Sequence, residues 1–135
     1  MDSDTLKEAV RLARTIGHVF VATADRRGMP HMAAARKIAF ASDEKRLTVE
    51  EWFCPGTLAN LQENSSIAIV VWDHTGDFGY QLLGETTEIE DMAVMNGYVP
   101  ATKDEIALPQ VERRLLVRVD KVIDFSCAPH TDVEE

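Results

Sequence analysis

Four histidines, two cysteines, several pairs of adjacent cations and one pair of adjacent aromatics are the side chains of this sequence with chemistry to offer, and their spacing decides how much. His18, His31, His74 and His130 form no HxH or HExxH pattern, so a zinc or iron site would have to gather ligands from distant segments, and no metal is expected. Cys54 and Cys127 make no CxxC pair, which fits neither a disulfide framework nor a zinc knuckle and suits a reducing cytosol. Cys54 stands just before Pro55-Gly56, where a helix start would lower a thiol's pKa; the competing reading is a small buried hydrophobe. Trp52-Phe53 can wall a planar ligand or fill a core or subunit contact. Asp73-His74 and Asp77 look like a catalytic cluster, but the run Asp73-His-Thr-Gly-Asp77 has the composition of a turn, which explains them. Arg26-Arg27, Arg36-Lys37 and Arg113-Arg114 are solvated surface pairs unless their position gives one of them a ligand.

Composition narrows the partners. A formal net charge of −9 opposes the attraction to phosphate backbones that nucleic-acid binders build from clustered Lys and Arg, so no nucleic-acid partner is expected. Asp2, Asp4, Lys7, Glu8, Arg11 and Arg14 interrupt the first 17 residues, which leaves no apolar signal core. No later run reaches the ~20 apolar residues of a membrane span. The expectation is a soluble, cytoplasmic protein with no membrane partner. At 135 residues, 45% of them hydrophobic, the chain reads as one domain over residues 1–135.

The elements that must position these residues follow from periodicity. Thr5 and Glu8 have capping-box spacing, and Leu6, Ala9, Val10, Ala13 and Ile16 recur at helical intervals; a helix is predicted over residues 4–16, ended by Gly17. A β-rich run from His18 to Ala24 leads into the tight turn Asp25-Arg-Arg-Gly28, then a strand from near His31 to Ala41. The polar turn Ser42 to Arg46 and a strand from Leu47 to Phe53 complete a three-stranded meander. Cys54-Pro-Gly-Thr57 breaks that strand, and Thr57 to Asn64 reads as a short helix with Leu58 and Leu61 inward. Ile67 to Trp72 is continuously apolar, as in strands buried on both faces. Tyr80 to Ile89 is the fifth strand, in which Gly84 marks a bulge or a close backbone approach. Asp91 to Asn96 is predicted as a helical turn, Gly97 to Gln110 as irregular, Leu115 to Phe125 as the sixth strand, and residues 126–135 as a polar tail that need not be ordered. Six mostly hairpin-linked strands with short helices predict a mainly β fold, a small barrel. Side chains fill such a barrel, so a ligand would bind outside it, in a groove between subunits.

From Val19 to Glu90 this order of elements resembles the pyridoxamine 5'-phosphate oxidase-like family of FMN-binding split barrels, a resemblance that spans residues 5–125. Val21-Ala-Thr-Ala-Asp25 with Gly28-Met-Pro-His31 is similar to the family's opening hairpin, and Asp43 to Val49 to its next one. Thr57-Leu-Ala-Asn-Leu-Gln-Glu-Asn64 with Ile67-Ala-Ile-Val-Val resembles its short helix and following strand, and Tyr80-Gln-Leu-Leu-Gly84-Glu the strand after that. The resemblance implies a six-stranded split β-barrel and a homodimer with cofactor sites at the subunit interface. FMN would be the cofactor, its phosphate held by basic and hydroxyl side chains.

It also implies roles residue by residue. Arg36 and Lys37 fall on the second strand, where the family places a basic phosphate ligand, bidentate for Arg and a point charge for Lys. Thr57 falls in the loop opening the helix, where backbone N–H groups and the helix dipole favour an anion; it is equally a good N-cap. Glu51 and Trp52 fall at the strand end beside the cofactor. Gln81 falls where the family often places an amide facing the partner subunit's flavin, or is an ordinary exposed strand residue. Two departures stand beside these matches. Cys54-Pro55-Gly56-Thr57 lacks the lysine that the family shows at or just before the threonine. Glu50-Glu51 puts carboxylates at the strand end: alternation turns one away, and the other repels a phosphate by about 1 kcal/mol in water and more where solvent is excluded.

Two functions therefore stay open. One is a flavin-dependent oxidoreductase or electron carrier, in which the cofactor supplies the redox chemistry and no protein catalytic residue is assigned. The other is a noncatalytic binding module that keeps the barrel dimer and has lost FMN. Oxidation of pyridoxamine phosphate itself is not expected, because the chain is short and its end, Asp132-Val-Glu-Glu135, lacks a basic cluster for a phosphorylated substrate.

Overall fold

Helix α1 (Ser3–Ile16) buries Leu6, Ala9, Val10 and Ala13, the stripe its spacing predicts, against the sheet. Gly17 ends it at φ +91°, a conformation glycine adopts without strain, with its N–H bonded to Ala13 O at 2.8 Å. The predicted capping box does not form. The helix already runs from Ser3, and the Glu8 carboxylate accepts a hydrogen bond from the Tyr80 hydroxyl at 2.8 Å, tying α1 to the sheet. The computed structural model describes residues 3–43, 46–52, 54–95 and 110–133, without the side chains of 52, 93–95, 110 and 111.

Among the described residues seven strands follow: β1 (Val19–Ala24), β2 (Pro30–Ala35), β3 (Lys37–Phe40), β4 (Leu47–Trp52), β5 (Ser66–Asp73), β6 (Phe78–Met95) and β7 (Gln110–Asp124). Helix α2 (Pro55–Glu63) lies between β4 and β5. All pairings are antiparallel, in the order β2-β1-β5-β6-β7-β4-β3. The two outermost strands of this order, β2 and β3, are separated in sequence by Arg36 alone, so the sheet has to curl until its edges meet.

The predicted second strand is thus one bent strand that changes partner. Ala35 pairs with Val19 of β1, Lys37 pairs with Glu50 of β4, and the Arg36 N–H between them bonds Glu50 O at 2.8 Å. Counted as one, β2 and β3 give the six strands of a split barrel.

Inside the curl, Val19, Val21, Leu47, Val49, Ile69, Val71, Leu82, Leu115 and Val117 form the core, with the apolar face of α1 packed on it. Strand β5 is not buried on both faces as its apolar run predicts. Ile67, Ile69 and Val71 are buried, whereas Ala68, Val70 and Trp72 point outward and are half-buried, because only one side of a barrel wall meets the core. Gly84 has both predicted features: the β6–β7 register slips between Leu83 and Gly84, and a Cβ there would stand 1.9 Å from Arg118 O.

Three further expectations change. The helical turn predicted from Asp91 is strand through Met95, because β6 keeps pairing with β7 as far as Met95↔Gln110 and that pairing overrides local propensity. Asn96 and the irregular stretch up to residue 109 lie outside the described residues. Helix α2 begins at Pro55, not Thr57, with Cys54 at the N-cap position; Thr57 and Leu61 are its buried residues and Leu58 is only half-buried. The tail is tied down as far as Ala128, where Cys127 and Ala128 donate to Asp77. Among the described residues no helix is long and apolar enough to cross a membrane.

Candidate functional site

Most of the sequence-derived candidates meet at one corner, where the β2–β3 bend lies beside the end of β4 and β4 leads into α2. Alternation splits β4 into two chemically different faces here. On the outer face, Lys37 and Glu50 are direct cross-strand partners and their side chains approach to 3.6 Å. Glu50 also lies 3.8 Å from Arg114, which lies 3.9 Å from Glu90. Arg36 is ion-paired with Glu112. Both predicted phosphate cations are therefore well exposed but held by carboxylates, and exposed ion pairs of this kind contribute only about 0–1 kcal/mol.

The inner face of β4 carries Leu47, Val49 and Glu51, all buried. Glu51 has no solvent exposure, and neither of its carboxylate oxygens has a hydrogen-bond partner of full geometry. Arg113 is its cross-strand partner on β7 and attracts it, but the Arg113 guanidinium also reaches Asp91 at 3.4 Å. The Cys54 thiol faces the same carboxylate as a weak, long-reaching donor that leaves the oxygens unsatisfied. Burial raises the Glu51 carboxyl above its ordinary range, only partly offset by Arg113 and the thiol. Burial and the Glu51 charge also raise the Cys54 thiol, so this cysteine is not the activated thiolate that a helix start alone would make of it.

Helix α2 opens with no side-chain cap: Cys54 contributes none, and Pro55 has no N–H. Gly56 and Thr57 carry the first-turn amides that no helical carbonyl can take, since the first such bond is Leu58 N–H to Cys54 O at 3.0 Å. Thr57 is not the N-cap. It sits in the first turn, fully buried, and its hydroxyl has no hydrogen-bond partner. The His31 ring lies against Gly56, so near that a Cβ there would stand 3.0 Å from it. The Trp52 side chain and Phe53 lie outside the described residues.

Gln81 is elsewhere. It sits on β6, three strands from the β2 edge, paired with Val70, which pairs in turn with Phe20 of β1, so these three share the outer face of the barrel. This face is apolar and exposed, with Phe20 at 39% and Met32 at 60%. Beside Gln81 it sinks into an open groove of about 450 Å³ lined by Ala22, Ala24, Ala68, Leu83 and Lys121 among others. Among the described residues no three His, Cys, Asp or Glu side chains converge as metal ligands would.

Turn composition accounts for only part of what Asp77 does in the fold. Asp77, at φ +51°, accepts hydrogen bonds from Cys127 N (2.7 Å), Ala128 N (2.9 Å) and Trp72 Nε1 (3.2 Å). Those amide bonds above all hold its carboxyl below the ordinary range. No local signal could reveal partners 50 residues away. Ser126 and His130 complete an apparent Ser-His-Asp grouping there, but its geometry is wrong for nucleophilic catalysis. His130 Nδ1 lies 2.9 Å from Ala128 O, which can only accept, so the nitrogen facing Ser126 Oγ at 3.1 Å already carries a proton.

A family model described as pyridoxamine 5'-phosphate oxidase matches residues 5–120. Among solved structures the chain is similar to HupZ of Group A Streptococcus, with 22% identity, 93% of this chain and 97% of that one covered, and a TM-score of 0.62. It is similar to a pyridoxamine 5'-phosphate oxidase-related, FMN-binding protein of Nostoc punctiforme at 11% identity, with 94% and 85% covered and a TM-score of 0.65. An FMN-binding protein of Syntrophomonas wolfei gives 16% identity, 96% and 91% covered, and a TM-score of 0.58. Identities this low speak for the fold alone. No curated protein sequence matches the chain.

Proposed function

The chain belongs to the pyridoxamine 5'-phosphate oxidase family, and from that premise we propose that it binds FMN at the interface of a homodimer and works as a flavin-dependent oxidoreductase or electron carrier. The observation that carries this reading is the corner itself. An uncapped helix start with a buried, unpartnered Thr57 hydroxyl follows the end of β4, and the β2–β3 bend paired with that strand end carries two exposed cations, a set that suits a phosphate better than any neutral group. Glu112 and Glu50 would have to release Arg36 and Lys37, a small cost for exposed pairs. When bound, FMN would supply the hydride or electron transfer. The protein's part would be to hold the phosphate and shield the ring, with Arg36 as the bidentate ligand, Lys37 as the point charge and Thr57 as hydroxyl donor.

The homodimer reading is supported by another part of the outer face. Phe20, Met32, Val70 and the neighbouring groove are apolar surface of the kind a second copy covers, and Gln81 would there meet the partner's flavin ring. The small side chains of Ala22, Ala24 and Ala68 leave room for a planar ring. Neither cysteine forms a disulfide, in keeping with a cytoplasmic location.

FMN titration of the flavin-free protein, followed by quenching of flavin fluorescence, tests this. Charge-assisted contacts contribute about 1.5–3 kcal/mol each, so replacing Arg36 and Lys37 together by alanine is expected to weaken FMN at least tenfold. Equal affinity in the double variant would remove these residues from the site. No binding below millimolar FMN by a folded parent would leave the flavin-free binding module as the function.

A further inference from the structure

We propose that Glu51 is neutral in the loaded state, so that seating an anion at the α2 start draws a proton from solvent onto its carboxylate. This rests on the FMN reading above and adds to it a proton that travels with the ligand. The geometry leaves Glu51 with few means of keeping a buried charge beyond the attraction of Arg113. It has no solvent exposure and no full hydrogen bond. The groups facing it can be named element by element: Arg113 from β7, with Asp91 of β6 drawing on the same guanidinium, and the Cys54 thiol from the link into α2. Lys37, Glu50 and Arg114 occupy the opposite face of the strand pair and are engaged with one another.

One further support for the ionised form is the α2 N-terminus, whose partial positive charge lies just beyond Cys54. A phosphate at that terminus would neutralise it and add negative charge of its own. Both changes act in the same direction, against an ionised Glu51, whose carboxyl is already raised by burial. The proton balance is simple: one H⁺ leaves the buffer and forms an O–H bond on the carboxylate, with no oxidant or reductant involved.

Calorimetric titration of flavin-free protein with FMN, in buffers of different ionisation enthalpy, counts protons directly. Measured at about pH 7, 8 and 9, above the phosphate's second pKa near 6, the ligand itself remains a dianion. The parent should take up a positive fraction of one proton, and its affinity should fall with rising pH by up to about tenfold per unit. Glu51→Gln keeps the shape without the titrating group; it should bind FMN with no uptake and a flat pH profile. Infrared difference spectra of the unmutated protein should show a protonated carboxyl gained on loading, which covers the case in which the variant fails to fold. FMN binding with zero uptake across the range, or with uptake unchanged in Glu51→Gln, overturns the inference and leaves the FMN reading standing. No FMN binding overturns both.

Discussion

Two carboxylates at two corners of the barrel have opposite circumstances. Glu51 is fully buried, lacks a full hydrogen bond and is pushed toward its neutral form; Asp77 is accessible, accepts three hydrogen bonds and is held in its charged form. Depth in the structure is therefore a poor guide to which carboxylate holds the fold together. Asp77 closes the β5–β6 turn onto the chain end and needs its charge to do so. Glu51 sits in the wall of the core at the cost of its solvation, which is the signature of a residue kept for something other than stability. The glycines beside them differ in the same way. A Cβ on Gly79, next to the clamp, would lie 2.2 Å from Val71 O and 2.7 Å from Trp72 Cα, which are backbone atoms. A Cβ on Gly56, at the candidate site, would have the exposed His31 ring as its nearest neighbour.

The sharpest way to break this contrast is Gly79→Ala. Neither neighbouring backbone can move without disturbing the β5–β6 ladder, where Gly79 pairs with Trp72. Overpacking of this kind costs about 1–3 kcal/mol and sometimes more, and the upper end is expected here. Urea unfolding measures it directly, and a loss below about 1 kcal/mol would mean that the turn is as pliant as the corner around Gly56.

Asp77→Asn comes next. Asparagine tolerates the positive φ of this position and keeps one acceptor oxygen, so the turn should survive while the two-amide grip on Cys127 and Ala128 weakens. The parent's carboxyl is lower when folded than when unfolded. Its stabilising contribution is therefore complete above the unfolded value near 3.8 and is lost as pH falls through the lower, folded one. Protection of the Cys127 and Ala128 amides, taken relative to their intrinsic exchange rates, should fall at acid pH in the parent, and at every pH in Asp77→Asn. Slow exchange in the variant would show that β7 and the Trp72–Phe125 ring contact hold the tail without the carboxylate.

How much of this contrast the sequence carried differs between the two corners. The turns at Gly17 and Gly28, the bulge at Gly84 and the helix after Cys54 were legible, because glycine and proline act within a few residues of themselves. The inward direction of Glu51 was legible too, though only with the right parity: Leu47 and Val49 mark the core face, and Glu51 continues it. The partner change at Arg36 was not, since a strand that leaves one neighbour for another keeps the same local composition. Asp77 reads as a turn residue for a sound local reason, and its clamp exists only once β7 has returned across the barrel.

The smallest expected effect is the most telling for the candidate site. In Gly56→Ala the new methyl would stand 3.0 Å from His31 Cε1 and Nε2, inside ordinary contact distance. But those atoms belong to the far end of an exposed side chain that can rotate away. Gly56 is not at positive φ, and alanine favours the helical backbone by up to about 1 kcal/mol, less in a first turn, so the clash and the gain nearly cancel. Unfolding free energy should therefore stay within about 0.5 kcal/mol of the parent's, a change typical of surface positions. FMN affinity is the separating measurement. If His31 only rests on the helix start, affinity stays as it was while the ring swings out. If affinity drops severalfold at unchanged stability, the ring helps seat the anion, and the corner is built around His31 as firmly as the turn is built around Asp77.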